Sequence, residues 1–164
     1  MARSQGDRTA REGVVATNRR ARHDYEILET YEAGLVLRGT EVKSLRERKA
    51  NLKDSYGRVE GNEIWLVGCH ISPYHHGTDA NHVPDRKRKL LLSRKEINRL
   101  LGKTMERGLT LIPLRLYFTD RGRAKLELGL ARGKKLHDKR RTIREREARR
   151  EIDKALRGRL RGVS

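Results

Sequence analysis

The chain has 164 residues, about the length of one domain, and its 40 Lys and Arg against 22 Asp and Glu give a formal net charge of +18. Hydrophobic residues make up 35% of it, enough for one small core. No apolar run approaches the ~18 residues that a membrane-spanning helix needs, and no apolar segment follows the basic N-terminus as in a secretory signal. We therefore expect a cytoplasmic protein with no membrane partner, which binds a polyanion such as nucleic acid.

Charge and apolar residues are distributed unevenly along the chain. Residues 1–23 hold six basic and two acidic side chains, and residues 132–164 hold fourteen and five. Apolar residues concentrate between these two flanks. We therefore expect a folded body at residues 24–131, a basic arm before it and a basic tail after it.

The body is predicted to consist mainly of strands. Its patterns indicate three hairpins, formed by residues 25–31 with 35–37, 55–59 with 64–67, and 109–118 with 126–130. Gly34 is expected in the first turn, and residues 120–123 are expected in the third. Leu126, Leu128 and Leu130 alternate as in a strand that is buried on one face.

Two short helices are predicted within the body. Thr40 is expected to cap a helix that ends near Ala50. Ser93 is expected to cap a second helix, whose apolar face comprises Ile97, Leu100, Leu101 and Met105. About six strands with two short helices predict a mainly-β fold, a small closed or nearly closed antiparallel barrel.

The tail has the composition of a marginal helix. Strong helix formers begin at Thr142, and Ala148, Ile152 and Leu156 make a thin apolar stripe. Acid-to-base pairs four residues apart add a few tenths of a kcal/mol each. We expect the tail to be disordered or helical depending on context, and more helical against an anionic surface.

Cysteine and histidine residues cluster in the middle of the chain, at Cys69, His70, His75, His76 and His82. Their spacing matches no common zinc pattern, and a single cysteine excludes an internal disulfide. A cysteine that follows a strand is expected to be buried and inert. Nucleotide-binding and nucleophile motifs are also missing from the sequence. We predict no metal, no cofactor and no enzymatic activity.

Basic runs carry the stronger functional signal. Arg19, Arg20 and Arg22 precede the first predicted strand, residues 86–89 form a second run, and the tail is a third. A guanidinium donates two parallel hydrogen bonds to phosphate. One such run can simply be a solvated face, but three at a net charge of +18 favour RNA binding. Aromatic residues are only 4% of the chain, so recognition by the shape and backbone of a folded RNA is expected.

Several ordered motifs resemble one known family. They are NRRARHDY at residues 18–25, EAG at 32–34, EVKSLR at 41–46, KLLL at 89–92, GKK at 133–135 and HDKR at 137–140. The chain resembles the SsrA-binding protein family, also called small protein B, over about residues 18–156. The resemblance implies an oligonucleotide-binding-like (OB-like) antiparallel barrel with three helices. It also implies binding to transfer-messenger RNA (tmRNA), which rescues stalled bacterial ribosomes.

The resemblance also implies which residues act. Contacts to the tRNA-like domain of tmRNA are expected from Asn18, Arg20, Arg22, His23, Glu32, Tyr56, Lys89, Leu91 and Lys125. Without the resemblance, Glu32 would be an ordinary hairpin charge, since a carboxylate repels phosphate, and Leu91 would be a core residue. With it, Glu32 accepts from a base amino group or holds a basic neighbour in place.

In the family, the tail enters the decoding centre and then the empty mRNA channel. The matching residues are Gly133, Lys134, Lys135, His137, Asp138, Lys139, Arg140 and Arg144. Gly133 would be a hinge, and the His137 ring would stack on a ribosomal base. Some members carry a tryptophan in the tail helix where this chain has Ala148, so Ile152 or Leu156 is expected to take over its packing.

The implied partners are tmRNA, the small ribosomal subunit with its rRNA, and elongation factor Tu in the same complex with aminoacylated tmRNA. Two alternatives stay open from the residues alone. A ribosome-associated structural protein that binds rRNA permanently would have the same composition. A metal hydrolase would use the histidine cluster and would contain bound metal.

Overall fold

A computed structural model describes residues 13–77, 80–133 and 146–158. Its elements in chain order are β1 Val14–Thr17, α1 Ala21–Asp24, β2 Tyr25–Leu35, α2 Gly39–Arg46, β3 Ala50–Asn51, β4 Tyr56–Glu60, β5 Glu63–Val67, β6 His70–Ile71, β7 Arg88–Leu91, α3 Arg94–Thr104, β8 Leu109–Phe118 and β9 Ala124–Gly133. Residues 146–158 form a further helix, α4.

The main sheet closes on itself. Its seven strands run in the order β1-β8-β4-β5-β7-β2-β9, all pairs are antiparallel, and β9 pairs back onto β8. The ring is irregular, because β4 and β8 are paired through one pair of residues, Gly57 and Leu111. β3 and β6 form a separate two-stranded sheet. The predicted mainly-β, closed antiparallel fold is confirmed.

The main core lies inside this ring. Leu126, Leu128 and Leu130 are all buried there, which confirms the alternation predicted for β9. Along β8 the phase changes, because the register shifts between Pro113 and Arg115. As a result, β8 contributes side chains to the main core and also to a second apolar cluster, which contains Ala21, Ile112, Leu114 and Ala131.

Two of the three predicted hairpins are confirmed, and the first is wrong. Gly61 and Gly122 have positive φ angles of 60° and 77° in the turns of the second and third hairpins. In contrast, β2 runs without a turn through Gly34 to Leu35. A Cβ atom added at Gly34 would lie 3.2 Å from the Leu91 Cβ. This glycine therefore lets β2 and β7 approach closely.

β1 was not expected, because its four residues are too few to show an alternating pattern. Val14–Thr17 lie in the predicted basic arm but pair with β8. At the other end, β9 extends to Gly133, two residues past the predicted body. The sheet thus includes residues from both predicted flanks.

The helices differ in how well their ends were predicted. Ser93 caps α3 as expected, and its hydroxyl accepts from the Glu96 amide at 3.2 Å. Met105 lies beyond the last residue of α3 and is 88% exposed, so its predicted place on the apolar face is wrong. Thr40 does not cap α2, which begins at Gly39 and ends at Arg46.

Helical structure in the tail is confirmed for α4. All thirteen residues of 146–158 are exposed. Ile152 and Leu156, the larger members of the predicted apolar stripe, are 58% and 52% exposed. This stripe is therefore uncovered in the isolated chain.

A buried ion pair joins α2 to β7. Glu41 and Arg88 are both fully buried, and Arg88 Nε donates to Glu41 Oε2. The Arg88 guanidinium also donates to the carbonyl oxygens of Cys69 at 2.6 Å and Pro84 at 2.9 Å. A buried charge is tolerated when its hydrogen-bonding groups are satisfied in this way.

The Glu41 carboxylate has further donors. Burial alone would raise the pKa of Glu41, but hydrogen bonds from the Arg38 backbone and from the Arg86 and Arg88 side chains outweigh it and hold this pKa below its ordinary value. Glu41 therefore contributes stability above the ordinary carboxyl pKa. That contribution is lost as the pH falls through the lowered pKa of the folded state.

We expect Glu41→Ala to lower the free energy of unfolding by about 3–5 kcal/mol, because it leaves the Arg88 charge buried without a partner. Chemical denaturation of the full chain measures this loss. Glu63→Ala is the matched control, since Glu63 pairs with Lys89 at the surface and such pairs contribute at most ~1 kcal/mol. Equal losses in the two variants would contradict the structural role assigned to Glu41.

Candidate nucleic-acid interface

Four strands carry a row of outward-facing residues. Leu126 and Leu128 point into the core, so Lys125 and Glu127, which alternate with them along β9, face outward. The register places Leu91 of β7 beside Gly34 of β2, Gly34 beside Lys125 of β9, and Lys125 beside Tyr117 of β8. Leu91 is 50% exposed. The alternative of a core role for Leu91 is therefore wrong.

Glu32 lies beside this row and is held by two neighbours. Its Oε1 is 3.8 Å from Lys125 Nζ. The Tyr117 hydroxyl also hydrogen-bonds to Glu32, and burial together with this bond raises the pKa of Tyr117 to about 12. The exposed Glu32 carboxylate therefore has a defined orientation on a surface that also carries a lysine.

Glu127 links two further cations, Arg115 and Arg22. Its carboxylate accepts from Arg115 Nε at 3.0 Å and lies 3.5 Å from Arg22 Nη2. The Arg115 guanidinium also lies over the Tyr117 ring, 4.5 Å from its centre. Arg115, Tyr117 and Glu127 were not among the residues predicted from sequence. The register of the hairpin around Gly122 could have placed Arg115 opposite Glu127.

The short helix α1 positions the arm residues. Ala21 packs into the second apolar cluster, which fixes α1 on the outside of the sheet. His23 is exposed, and its Nδ1 lies 3.0 Å from Asp24 Oδ1. Arg22 projects from α1 toward Glu127 on the sheet. Arg22 and His23, predicted from sequence, thus lie at the edge of the strand surface.

Other predicted residues line a cleft beside α1. This cleft has a volume of about 580 Å³, and Asn18, Arg20 and Tyr56 are among its lining residues. The Asn18 side chain is fixed because its Nδ2 donates to the Pro113 carbonyl at 3.0 Å. The fold thus gathers these three residues at one site and places Leu91, Glu32, Lys125 and Arg22 on the neighbouring strand surface.

The basic run at residues 86–89 has a different role from the one expected. Arg88 is fully buried, so its predicted availability to phosphate is wrong. Arg86 also binds Glu41, and Lys87 binds Glu60 at 2.6 Å. Lys89, the predicted contact of this run, lies 2.9 Å from Glu63.

Cys69 and the histidine residues take part in separate structural contacts, apart from His75 and His76, whose ring centres lie 3.9 Å from each other. Cys69 is fully buried as predicted, and burial raises the pKa of its thiol to about 11. His82 is buried, and its ring contacts the Thr40 hydroxyl at 2.9 Å and the Ile71 carbonyl at 2.9 Å. In residues 13–77, 80–133 and 146–158, no three His, Cys, Asp or Glu side chains are grouped to hold a metal.

Most of the predicted ribosome-contacting residues fall outside the described part of the chain. They are Lys134, Lys135, His137, Asp138, Lys139, Arg140 and Arg144. Gly133, the predicted hinge, is described and pairs with Tyr25 at the end of β9. None of the helices in the described residues is long and apolar enough to cross a bilayer.

Comparison with known proteins identifies the family. The SmpB protein family matches residues 15–158. The SsrA-binding protein of Desulforudis audaxviator is 64% identical over 147 residues, which cover 90% of this chain and 95% of the relative. That of Sinorhizobium fredii is 56% identical over 159 residues, covering 97% and 99%.

A solved structure supports the same assignment. One of its chains is 60% identical and superposes with a TM-score of 0.62, covering 73% of this chain and 83% of that one. That structure is described as "tmRNA-SmpB: a journey to the center of the bacterial ribosome". This chain therefore belongs to the SmpB protein family.

Proposed function

We propose that this protein is an RNA-binding adaptor for ribosome rescue. Its ring and arm bind the tRNA-like domain of tmRNA and deliver it to stalled ribosomes in the cytoplasm, and its tail probes the vacant mRNA channel. It has no catalytic role of its own, and elongation factor Tu accompanies the aminoacylated tmRNA in the same complex. The observation that carries the proposal is the convergence of Arg22, Glu32, Leu91 and Lys125, which lie far apart in sequence, on one exposed surface.

The chemistry of this surface suits a folded RNA. Arg22 and Lys125 offer charge to the phosphate backbone, and Leu91 offers an apolar contact to an unpaired base. Glu32 is the unusual member, because its carboxylate can contact the RNA favourably only through donors. Exocyclic amino and ring N–H groups of bases are such donors. The contacts from Lys125 and Tyr117 support this role, since they orient the carboxylate before RNA arrives.

The tail detects whether the mRNA channel of the ribosome is vacant. Its exposed helix α4 carries Arg146, Arg149, Arg150, Lys154 and Arg157. In the proposed mechanism, His137, Asp138, Lys139 and Arg140 contact the decoding centre, with Lys134 and Lys135 next to the Gly133 hinge. The segment from Arg144 onward lines the channel. An mRNA already present would occupy the same cation-binding path, so the tail enters only when the channel is empty.

We expect Glu32→Gln to weaken binding to a transcript of the tRNA-like domain by about tenfold, because the amide removes the charge from the hydrogen bond and replaces one acceptor oxygen by a donor. The direction is informative, because the substitution raises the net charge of the protein. If Glu32 only repelled phosphate, the same substitution would strengthen binding. Fluorescence titration at fixed ionic strength measures the change.

The control for this prediction is Glu106→Gln, which makes the same charge change in an exposed residue next to α3. We expect it to change RNA affinity by less than about twofold, because salt screens the effect of one exposed charge on RNA binding. Tighter binding by Glu32→Gln would contradict the proposed contact to a base.

We expect the chain truncated after Arg132 to fold and bind the tRNA-like domain with little loss, yet to fail in tagging on stalled ribosomes. The truncation keeps Arg22, Glu32, Leu91 and Lys125 and removes every proposed ribosome-contacting residue. Tagging in a reconstituted translation system and RNA titration give the two readouts.

The converse variant is Arg22→Ala combined with Lys125→Ala, which should weaken RNA capture while α4 keeps its helical content by circular dichroism. Normal tagging by the truncated chain would show that the tail is only a non-specific anchor. A chain that stays stoichiometrically bound to ribosomes in high salt would instead indicate a permanent rRNA-binding protein.

A further inference from the structure

Two glutamates face each other on the outer surface of the ring. The register places Glu32 of β2 directly opposite Glu127 of β9. Side chains at such positions have Cβ atoms about 5 Å apart, and like charges there repel each other. Each carboxylate therefore needs its own cation if it is to keep a fixed place on a surface that binds RNA.

The two carboxylates are held by different cations. Glu32 Oε1 lies 3.8 Å from Lys125 Nζ, whereas Glu127 Oε2 accepts from Arg115 Nε at 3.0 Å. A further cation, Arg22 of α1, lies 3.5 Å from the other oxygen of Glu127. Because Arg115 belongs to β8, on the far side of β9 from β2, it draws the Glu127 carboxylate away from Glu32.

Arg115 also contacts Tyr117, two residues further along β8. Its guanidinium lies over the Tyr117 ring, 4.5 Å from the ring centre. The Tyr117 hydroxyl in turn hydrogen-bonds to Glu32, and burial together with this bond raises the pKa of Tyr117 to about 12. The hydroxyl is therefore protonated at neutral pH and donates to Glu32. A fixed Tyr117 ring means a fixed donor for that carboxylate.

We propose that Arg115 is a positioning residue of the RNA-binding surface. Through Glu127 it orients Arg22, and through Tyr117 it orients Glu32, without contacting the RNA itself. The inference rests on the proposed function, in which Arg22 and Glu32 contact the tRNA-like domain of tmRNA.

Exposure separates Arg115 from the cation that it positions. The Arg115 side chain is 32% exposed, whereas the Arg22 side chain is 67% exposed. The backbone of Arg115 is fixed from both sides, because Thr17 of β1 and Glu127 of β9 both lie opposite it. A surface that is held in this way before RNA arrives has a lower ordering cost on binding.

Replacement of Arg115 in two backgrounds tests the proposal. Arg115→Gln should weaken binding to a transcript of the tRNA-like domain by about tenfold, comparable to the loss of one charged hydrogen bond. In a chain that already carries Arg22→Ala and Glu32→Gln, the same substitution should change affinity by less than about twofold, because the residues through which it acts are gone. Fluorescence titration at one fixed ionic strength measures all four affinities.

A direct contact of Arg115 with a phosphate predicts a different result. Arg115→Gln would then weaken binding equally in both backgrounds, because the effects of independent sites add, and the proposal would be wrong. Arg115→Lys is a second variant, which keeps a cation between Glu127 and the Tyr117 ring. A lysine makes both kinds of contact with similar strength, so affinity should return to within about threefold of the wild type. Affinity as low as that of Arg115→Gln would also overturn the proposal.

The matched control is Arg99→Gln. Arg99 of α3 also contacts a glutamate and a tyrosine, since its Nε lies 3.1 Å from Glu29 Oε2 and 3.2 Å from the Tyr31 hydroxyl. The control removes the same charge and the same kinds of contact from a site that contains neither Arg22 nor Glu32. We expect RNA affinity to change by less than about twofold, because salt screens the effect of one exposed charge.

The outcomes also separate this inference from the proposed function. If the wild type binds the tRNA-like domain no better than an unrelated RNA hairpin of equal length, the proposed function is wrong, and the inference falls with it. If the wild type binds specifically but Arg115→Gln binds equally well, the inference is wrong and the function stands. Circular dichroism of each variant excludes a folding defect as the cause of lost binding.

Discussion

β9 is hydrogen-bonded to β2 on one side and to β8 on the other over almost its whole length. This double pairing closes the ring, and it places Leu126, Leu128 and Leu130 in the core while Lys125 and Glu127 face outward. Glu32, Arg115 and Tyr117 then take their places on the neighbouring strands by register alone. The strand part of the candidate interface is therefore the outer face of the strands that close the sheet, and α1 adds Arg22 at its edge.

The basic side chains of this protein have different surroundings in different parts of the fold. At residues 86–89, Arg88 forms an ion pair with Glu41 inside the protein, while Lys87 and Lys89 pair with Glu60 of β4 and Glu63 of β5. In the arm and the turn before β4, Arg19, Arg20 and Lys53 line the cleft beside α1. A run of basic letters looks the same whether its cations are buried or exposed, so only the fold shows that Arg88 cannot reach RNA.

The sequence predicted those elements whose signal is local. Ser93 with Glu96 marks the start of α3, Gly122 marks a turn, and the leucines of β9 alternate over enough residues to define a buried face. Gly34 was misassigned, because a glycine required for close packing against Leu91 is indistinguishable in sequence from one required for a turn. Arg115 and Glu127, the residues at the interface that were missed, depend on cross-strand register, which appears only when the hairpin is paired outward from its turn at Gly122.

The pairing of Gly133 with Tyr25 has a consequence for the tail. Tyr25 lines the cleft beside α1, so the tail leaves the body at the corner where RNA is proposed to bind. Thirteen peptide units separate Gly133 from Arg146, the first described residue of α4, and a fully extended chain of that length spans at most about 45 Å. This covalent tether defines a radius around the RNA-binding corner. The helix α4 can therefore enter only a channel whose entrance lies within that distance of the bound RNA.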